Sequence, residues 1–374
     1  MQELKIDIKG TILSGRGKID RLSALMKPGC KRALLVRDPS TPEGIAAGIA
    51  VMLNKKGIDC VFYTDIKKRA VSSDAEILSD FIKKGYIQSV IALGGQITLN
   101  IARLAVASAE SGFECDDILD GLKKPGNQTL IDYIEIPSSI RNPIMFTQLS
   151  AVADSRNRGI KIVDTGRFPS LIIKDASVFD SIPESSLSSI RFDLIFTAAE
   201  AICLRTRHFF TDTLLFSSLR KLLSEKDFSV DELSDIALCS DYAYSLHGPG
   251  SGYYLYRVLN SLSGVPSSYL TAILLPHFFE YYFSESPDIA SAVVSCCSGS
   301  GNKENGENEE SESFVNNIRK MIKKKNLPIR LSETGIRKEG INAAASLFAS
   351  APEIVKPPLN ITVERVAAIL KSAL

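Results

Sequence analysis

Ser89-Val90-Ile91-Ala92-Leu93-Gly94-Gly95 is an apolar run closed by two glycines, and Gln96-Ile97-Thr98-Leu99-Asn100 follows it with the spacing of a helix. A short strand that is apolar at every position is buried on both faces, as in a parallel sheet covered by helices. The same alternation continues upstream. Arg32-Ala33-Leu34-Leu35-Val36 reads as a strand, Glu43 to Lys55 as a helix and Cys60-Val61-Phe62-Tyr63 as a strand, and Asp74 is expected to cap a helix through Lys84. The helix after Gly95 is expected from Thr98 to Ser108. Strand and helix in alternation predict an α/β domain with a parallel, Rossmann-like sheet. Such sheets bind ligands at the carboxyl ends of their strands, so Asp38 and Gly94-Gly95 are expected to border a cleft.

Past Ser181-Ile182-Pro183 the texture changes. Helical periodicity runs over Ser188 to Leu204, Thr211 to Leu223, Val230 to Tyr244, Tyr253 to Ser263, Tyr269 to Phe283, Phe314 to Lys325 and Val363 to Leu374. The reading is therefore an α/β, dinucleotide-binding-like domain over 1–182 and an all-helical, metal-binding-like domain over 183–374. Ser298 to Ser313, nearly all Ser, Gly, Asn, Lys and Glu, is expected to be a mobile surface loop.

Composition narrows the function. A chain of 374 residues with 45% hydrophobic content can bury a large core in two domains. Its net charge of +1, with lysines interspersed among acids, gives no field for nucleic acid or an anionic membrane. The N-terminal residues lack a signal-peptide layout and no apolar run is long enough to span a bilayer, so the expected setting is cytoplasmic. Seven cysteines without CxxC spacing form neither a zinc site nor a disulfide framework. Only three histidines occur, His208, His247 and His277.

The words Ile91-Ala92-Leu93-Gly94-Gly95, Phe192-Asp193…Ala199-Glu200-Ala201 and Thr271-Ala272-Ile273-Leu274-Leu275-Pro276-His277 resemble those of the iron-containing alcohol dehydrogenase family, of the dehydroquinate synthase-like superfamily. The resemblance spans the chain. Gly15-Arg16-Gly17 is similar to the family's opening FGxG hairpin, Ile172-Ile173-Lys174-Asp175 to its interdomain stretch, and Asn326-Leu327-Pro328, Glu333-Thr334-Gly335-Ile336 and Lys356-Pro357-Pro358 to its late motifs. It implies a dehydroquinate synthase-like fold, NAD(P)-linked interconversion of an alcohol and its carbonyl, and a homodimer.

The functional words depart from the family pattern. Where the family has GGGSxxD, whose backbone holds the cofactor pyrophosphate, this chain reads Gly94-Gly95-Gln96-Ile97-Thr98-Leu99-Asn100; a Cβ at Gln96 argues against tight dinucleotide binding. Where the family has PTTAGTGSE around the nicotinamide, it reads Pro137-Ser138-Ser139-Ile140-Arg141-Asn142-Pro143-Ile144-Met145, with Ser138 and Ser139 keeping the hydroxyls and Arg141 placed to seize a phosphate or carboxylate or to fill cofactor space. The implied metal site takes one Asp and three His. The matching positions hold Asp193, Thr197, Tyr253 and Ser267, a donor set too poor in imidazole for iron or zinc. Losing that ion removes the Lewis acid that polarises the substrate oxygen.

Some functional positions remain open to two readings. Asp38 matches an Asp that in the family meets the adenosine ribose, and reads equally as a turn residue before Pro39. Lys161 matches a family lysine near the cofactor, and reads equally as a strand-edge lysine. His247 and Tyr253, flanking Gly248-Pro249-Gly250-Ser251-Gly252, form with Asp193 a candidate acid-base set, although a plain turn with a surface His247 is the favoured reading. Three functions follow. The first is a family member whose metal-dependent hydride transfer is lost or heavily altered, a pseudoenzyme candidate. The second is a metal-independent NAD(P)H-dependent reductase using Tyr253, His247 or Lys161. The third is a non-catalytic protein that binds a phosphate- or carboxylate-bearing ligand through Arg141 and Lys161, or a partner through the aromatic helices at Tyr253-Tyr254-Leu255-Tyr256 and Phe278 to Phe283, for which core packing is the favoured alternative.

Overall fold

The computed structural model describes residues 6, 9–126, 129–204, 208–298, 307–355 and 361–374. The chain divides into two compact units, one of residues 6–183 with 229–235 and one of 184–228 with 236–374.

In the first unit β1 (Thr11–Ser14), β2 (Arg32–Arg37), β3 (Asp59–Tyr63), β4 (Ser89–Gly94), β5 (Asp132–Pro137) and β8 (Leu171–Lys174) form a six-stranded sheet in the order β1-β8-β5-β4-β2-β3. All its ladders are parallel, with Leu34 opposite Val90 and Val90 opposite Tyr133. Every residue of β4 and β5 is buried; β4 is accordingly a continuous apolar run, whereas β5 also buries Asp132 and Glu135, which accept hydrogen bonds from Ser170 and Arg103. A separate antiparallel hairpin joins β6 (Leu149–Ala153) to β7 (Ile160–Asp164). Helices α1 (Leu22–Leu25), α2 (Glu43–Lys55), α3 (Ser72–Lys84), α4 (Gln96–Ser111) and α5 (Cys115–Leu119) complete the unit.

In this unit two helix starts differ from the sequence reading. Asp74 is not the cap of α3 but sits in its first turn, where its carboxylate accepts the Val71 N–H at 2.8 Å, so the helix begins at Ser72. The α4 helix begins at Gln96, before Thr98, because Gly95 takes an extended N-cap conformation and its carbonyl accepts the Leu99 N–H at 3.1 Å. It stops at Gly112 in the left-handed region, the ordinary C-terminal signal.

The second unit is built from α6 (Glu184–Cys203), α7 (Phe209–Leu222), most of α8 (Val230–His247), α9 (Ser251–Ser263), α10 (Ser267–Glu285), α11 (Pro287–Ser298), α12 (Glu307–Lys324), α13 (Lys338–Phe348) and α14 (Val363–Ser372). The α6 helix is buried almost continuously from Arg191 to Cys203, so it is the axis around which this unit packs. Residues 307–313, expected in a loop, are the first turns of α12. The rest of that expected loop, 299–306, and the Lys356-Pro357-Pro358 word lie outside the described residues. No described helix is long and apolar enough to cross a membrane.

Candidate functional site

The strand order reverses beside β2, whose neighbours are β3 on one side and β4 on the other, and ligands of open parallel sheets gather at such a switch point. Asp38 directly follows β2 there, and Gly94 ends β4 with Gly95 next as the N-cap of α4. The Asp38 carboxylate spans the two strand ends: one oxygen lies 3.1 Å from the Gly95 N–H and 3.1 Å from the Thr98 hydroxyl. Its other oxygen accepts the Ser40 N–H at 2.9 Å and the Ser40 hydroxyl. Asp38 thus makes a local turn contact to Ser40 and also reaches the start of α4.

The other cofactor-loop residues gather beside it. Gln96, the first residue of α4, donates its side-chain amide to the Arg141 carbonyl at 3.1 Å, and Ser139 donates its hydroxyl to the same carbonyl at 3.2 Å. Ser138 extends the β4–β5 pairing by donating its N–H to Gly94 at 2.8 Å. The Arg141 side chain is buried. Asn100 turns away from this edge: it donates to the Gln96 carbonyl at 2.7 Å and accepts the Ala151 N–H at 3.1 Å, pinning β6 to α4. An aspartate could not make the first of those bonds.

Sequence reasoning missed the groups that hold this loop in place. Arg103, buried on α4, pairs with Glu135 of β5 at 2.7 Å and donates to the carbonyls of Thr147 at 2.8 Å and Leu149 at 2.6 Å. It also reaches those of Ile144 and Met145 at 3.4 and 3.3 Å. Tyr133 donates to the same Glu135 oxygen at 2.7 Å. Lys174, fully buried at the end of β8, donates to the Ile140 carbonyl at 2.7 Å. Lys161, by contrast, lies on β7 and joins an ion network, 3.5 Å from Asp120, which Arg156 also grips.

In the helical unit, Asp193 projects from α6 and accepts the hydroxyl of Thr271, on α10, at 2.7 Å. Thr197, one turn after Asp193, donates its hydroxyl back to the Asp193 main-chain carbonyl at 2.9 Å. Ser267 is the first residue of α10, and its carbonyl lies 3.0 Å from the Thr271 hydroxyl. Tyr253 is fully buried, its ring packed edge-on against Tyr256 with centroids 5.3 Å apart and tilted against Tyr244. Asp193 therefore meets a hydroxyl on α10, and the residue that supplies it was not among the candidates. Among the described residues, no three His, Cys, Asp or Glu side chains gather closely enough to hold a metal ion.

The glycine-rich segment before Tyr253 has a packing role. Glu200, one turn beyond Thr197 on α6, is buried and places its carboxylate at the N-terminus of α9, accepting from the Gly252 N–H and from the Tyr253 N–H at 3.1 Å. Tyr244 donates to it at 2.7 Å and accepts the Gly250 N–H at 2.8 Å. A Cβ at Gly252 would fall 2.7 Å from the Glu200 carboxylate and 2.7 Å from the Phe196 ring, and one at Gly250 would overlap the same carboxylate. Burial, and then the Glu200 charge, push the Tyr244 phenol well above its ordinary pKa.

His247, read as a surface residue, is buried at the C-terminal end of α8, which runs one turn beyond the expected Tyr244 before Gly248 takes a left-handed conformation. His208 caps α7, its Nδ1 accepting the Phe210 N–H at 3.2 Å. His277 faces Glu280 and the Ser372 hydroxyl, and burial lowers its pKa. Tyr253, Tyr254, Leu255 and Tyr256, and Phe278, Phe279 and Tyr282, are core residues, so those stretches offer no aromatic docking face.

A parallel α/β unit with its ligand edge at a switch point, together with an all-helical unit, has the Rossmann-like body of a dehydrogenase. Residues 10–176 match the family model described as iron-containing alcohol dehydrogenase, and residues 258–374 match that described as the C-terminal part of the Fe-containing alcohol dehydrogenase family. The chain belongs to the iron-containing alcohol dehydrogenase family. It is 22% identical over 355 residues to an NADPH-dependent butanol dehydrogenase of Clostridium saccharobutylicum, covering 90% of this chain and 88% of that one. Alcohol dehydrogenase 4 of Saccharomyces cerevisiae is 19% identical over 371 residues, covering 96% and 95%. The crystal structure of NADH-dependent butanol dehydrogenase A from Thermotoga maritima superposes with a TM-score of 0.88 at 18% identity over 100% of this chain and 99% of that one, a likeness of fold.

Proposed function

We propose that this chain is a divergent alcohol dehydrogenase-family protein in which metal-dependent hydride transfer between an alcohol and NAD(P) has been lost. The observation that carries this reading is the bond from Thr271 to Asp193. The four positions assigned to a metal hold one carboxylate, two aliphatic hydroxyls and one buried phenol, and the carboxylate is already engaged by a hydroxyl from α10. Neutral hydroxyls compete poorly with water for a divalent transition ion, so these residues do not fit iron. The relatives, an alcohol dehydrogenase and an NADPH-dependent butanol dehydrogenase, supply the ancestral chemistry, alcohol dehydrogenation with a nicotinamide cofactor.

The metal-independent reductase gains no support from the site. Tyr253 is wholly buried against other tyrosines and Lys161 is bound into the Asp120 network. The deciding experiment is metal analysis of the purified chain, before and after incubation with ferrous and zinc salts, alongside a spectrophotometric assay of alcohol-dependent NAD(P) reduction. Substoichiometric metal and no reduction are expected. One bound iron or zinc per chain, with alcohol-dependent reduction, would overturn the reading.

A further inference from the structure

We infer that the free edge of β3 is a docking surface for a second copy of this chain, the two β3 strands pairing antiparallel about Val61 to join two six-stranded sheets into one. This concerns the assembly of the α/β unit and stands apart from the loss of hydride transfer.

β3 closes the sheet, with β2 on one side and no strand on the other. In a parallel ladder alternate residues of an edge strand give both N–H and C=O to the neighbour, and the residues between them turn theirs outward. Asp59 donates its N–H to the Lys31 carbonyl at 2.8 Å, so Asp59, Val61 and Tyr63 face β2 and the main-chain groups of Cys60 and Phe62 point away from it. Among the described residues those outward groups have no hydrogen-bond partner.

Sheet edges of proteins are normally blunted by lysine, proline or a bulge. The edge here has none of these: it reads Asp59-Cys60-Val61-Phe62-Tyr63 in unbroken register with β2, and its one charge, Asp59, is paired with Arg32 at 3.2 Å. Apolar side chains flank it on both faces instead. Phe62 is 43% exposed on one face; on the other, Phe81 of α3, 38% exposed, packs edge-on against Tyr63, with Ile77 exposed one turn before it.

Symmetry selects a second copy as the occupant. The open groups are centred on Val61, so an identical strand laid antiparallel with Val61 against Val61 sets Cys60 opposite Phe62 of the copy and Phe62 opposite its Cys60. Each becomes a hydrogen-bonded pair that exchanges two bonds, and every open group is satisfied. The Phe62 ring then lies on the same face as Cys60 of the copy, within reach of a cross-strand contact, and the same patch serves both partners. An extended peptide would fill the same groups but leave its own far edge open, whereas the copy closes both edges.

The test is sedimentation equilibrium of the full chain at micromolar concentration, for the wild type, Phe62→Lys, Phe62→Pro and, as a control on the helical unit, Ile329→Lys, with circular dichroism and Tm recorded for each. Phe62→Pro removes an N–H that faces outward, a position where an edge strand tolerates proline. The wild type and Ile329→Lys should be dimers, and the Kd for dimerisation should rise about tenfold or more in both Phe62 variants. A second measurement reads the register. The two Val61 positions form a non-hydrogen-bonded pair with Cα atoms about 4.5 Å apart, within disulfide range, so Val61→Cys in a Cys60→Ser background should give a covalent dimer on mild oxidation. A monomeric wild type overturns the inference. So does a dimer that persists undiminished in a folded Phe62 variant, or one in which Val61→Cys fails to cross-link, since either puts the contact on another face. Should both Phe62 variants unfold, the cross-link decides alone.

Discussion

The hydroxyl of Thr271 and the carboxylate of Asp193, buried on α10 and α6, are hydrogen-bonded at 2.7 Å. Replacing Thr271 by Val keeps the volume and deletes the donor to a buried acid, which costs about 1–3 kcal/mol when such a group loses a partner. Denaturant melts of Thr271→Val should show that loss, and Thr271→Ser should recover most of it. Equal midpoints for Val and wild type would mean the bond contributes nothing.

Gly252 touches Glu200 and Phe196 where a side chain would begin, with both within 2.7 Å of a Cβ. Gly252→Ala should destabilise the helical unit by about 1–3 kcal/mol, the usual scale for overpacking. Calorimetric Tm measures it. An unchanged Tm would show that Glu200 moves aside without cost.

Arg103→Met leaves the Glu135 carboxylate buried without its guanidinium, a loss of about 3–5 kcal/mol by analogy with other broken buried pairs. Hydrogen exchange should rise in residues 144–149, whose carbonyls Arg103 holds. Substituting Glu135 as well, by Leu, should restore part of the stability but not the protection of the loop.

Asp175 gives a pH prediction. Burial opposes its charge, but the N–H groups of Ile19, Ser177 and Gly17 and the Ser177 hydroxyl outweigh burial and hold its pKa below the ordinary value. A depressed folded pKa gives stability that is present above the unfolded pKa of about 3.9 and lost as pH falls through the folded value. Asp175→Asn should therefore be less stable than wild type at neutral pH, with the gap narrowing below about pH 4. A gap independent of pH would remove the carboxylate from the account.

The parallel sheet was legible because β4 is buried on both faces, and full burial writes itself there as unbroken Val, Ile, Ala and Leu; β5, which buries Asp132 and Glu135, carries no such run. The altered loops could be located too, since Gln96, Arg141 and Asp193 stand in recognisable words. Their partners were hidden. Arg103 and Glu135 are 32 residues apart, and Asp193 and Thr271 are 78 apart, distances over which periodicity carries no information. The glycines at 250 and 252 read as a plain turn because Glu200, the buried carboxylate that requires their missing Cβ atoms and the Gly252 N–H, lies 52 residues before Gly252. His247 misled for a related reason, as glycines at its C-terminal side marked the end of a helix and not the surface.

Arg103 draws one further consequence from its carbonyl partners. Residues 144–148 have neither helix nor strand to order them, yet one guanidinium engages three of their carbonyls and that of Leu149 beside them. One arginine some forty positions upstream thus shares with the Thr147 hydroxyl, which bonds the Ile144 carbonyl at 2.7 Å, the task of shaping that stretch, so the order of an irregular loop is written largely into a buried helix.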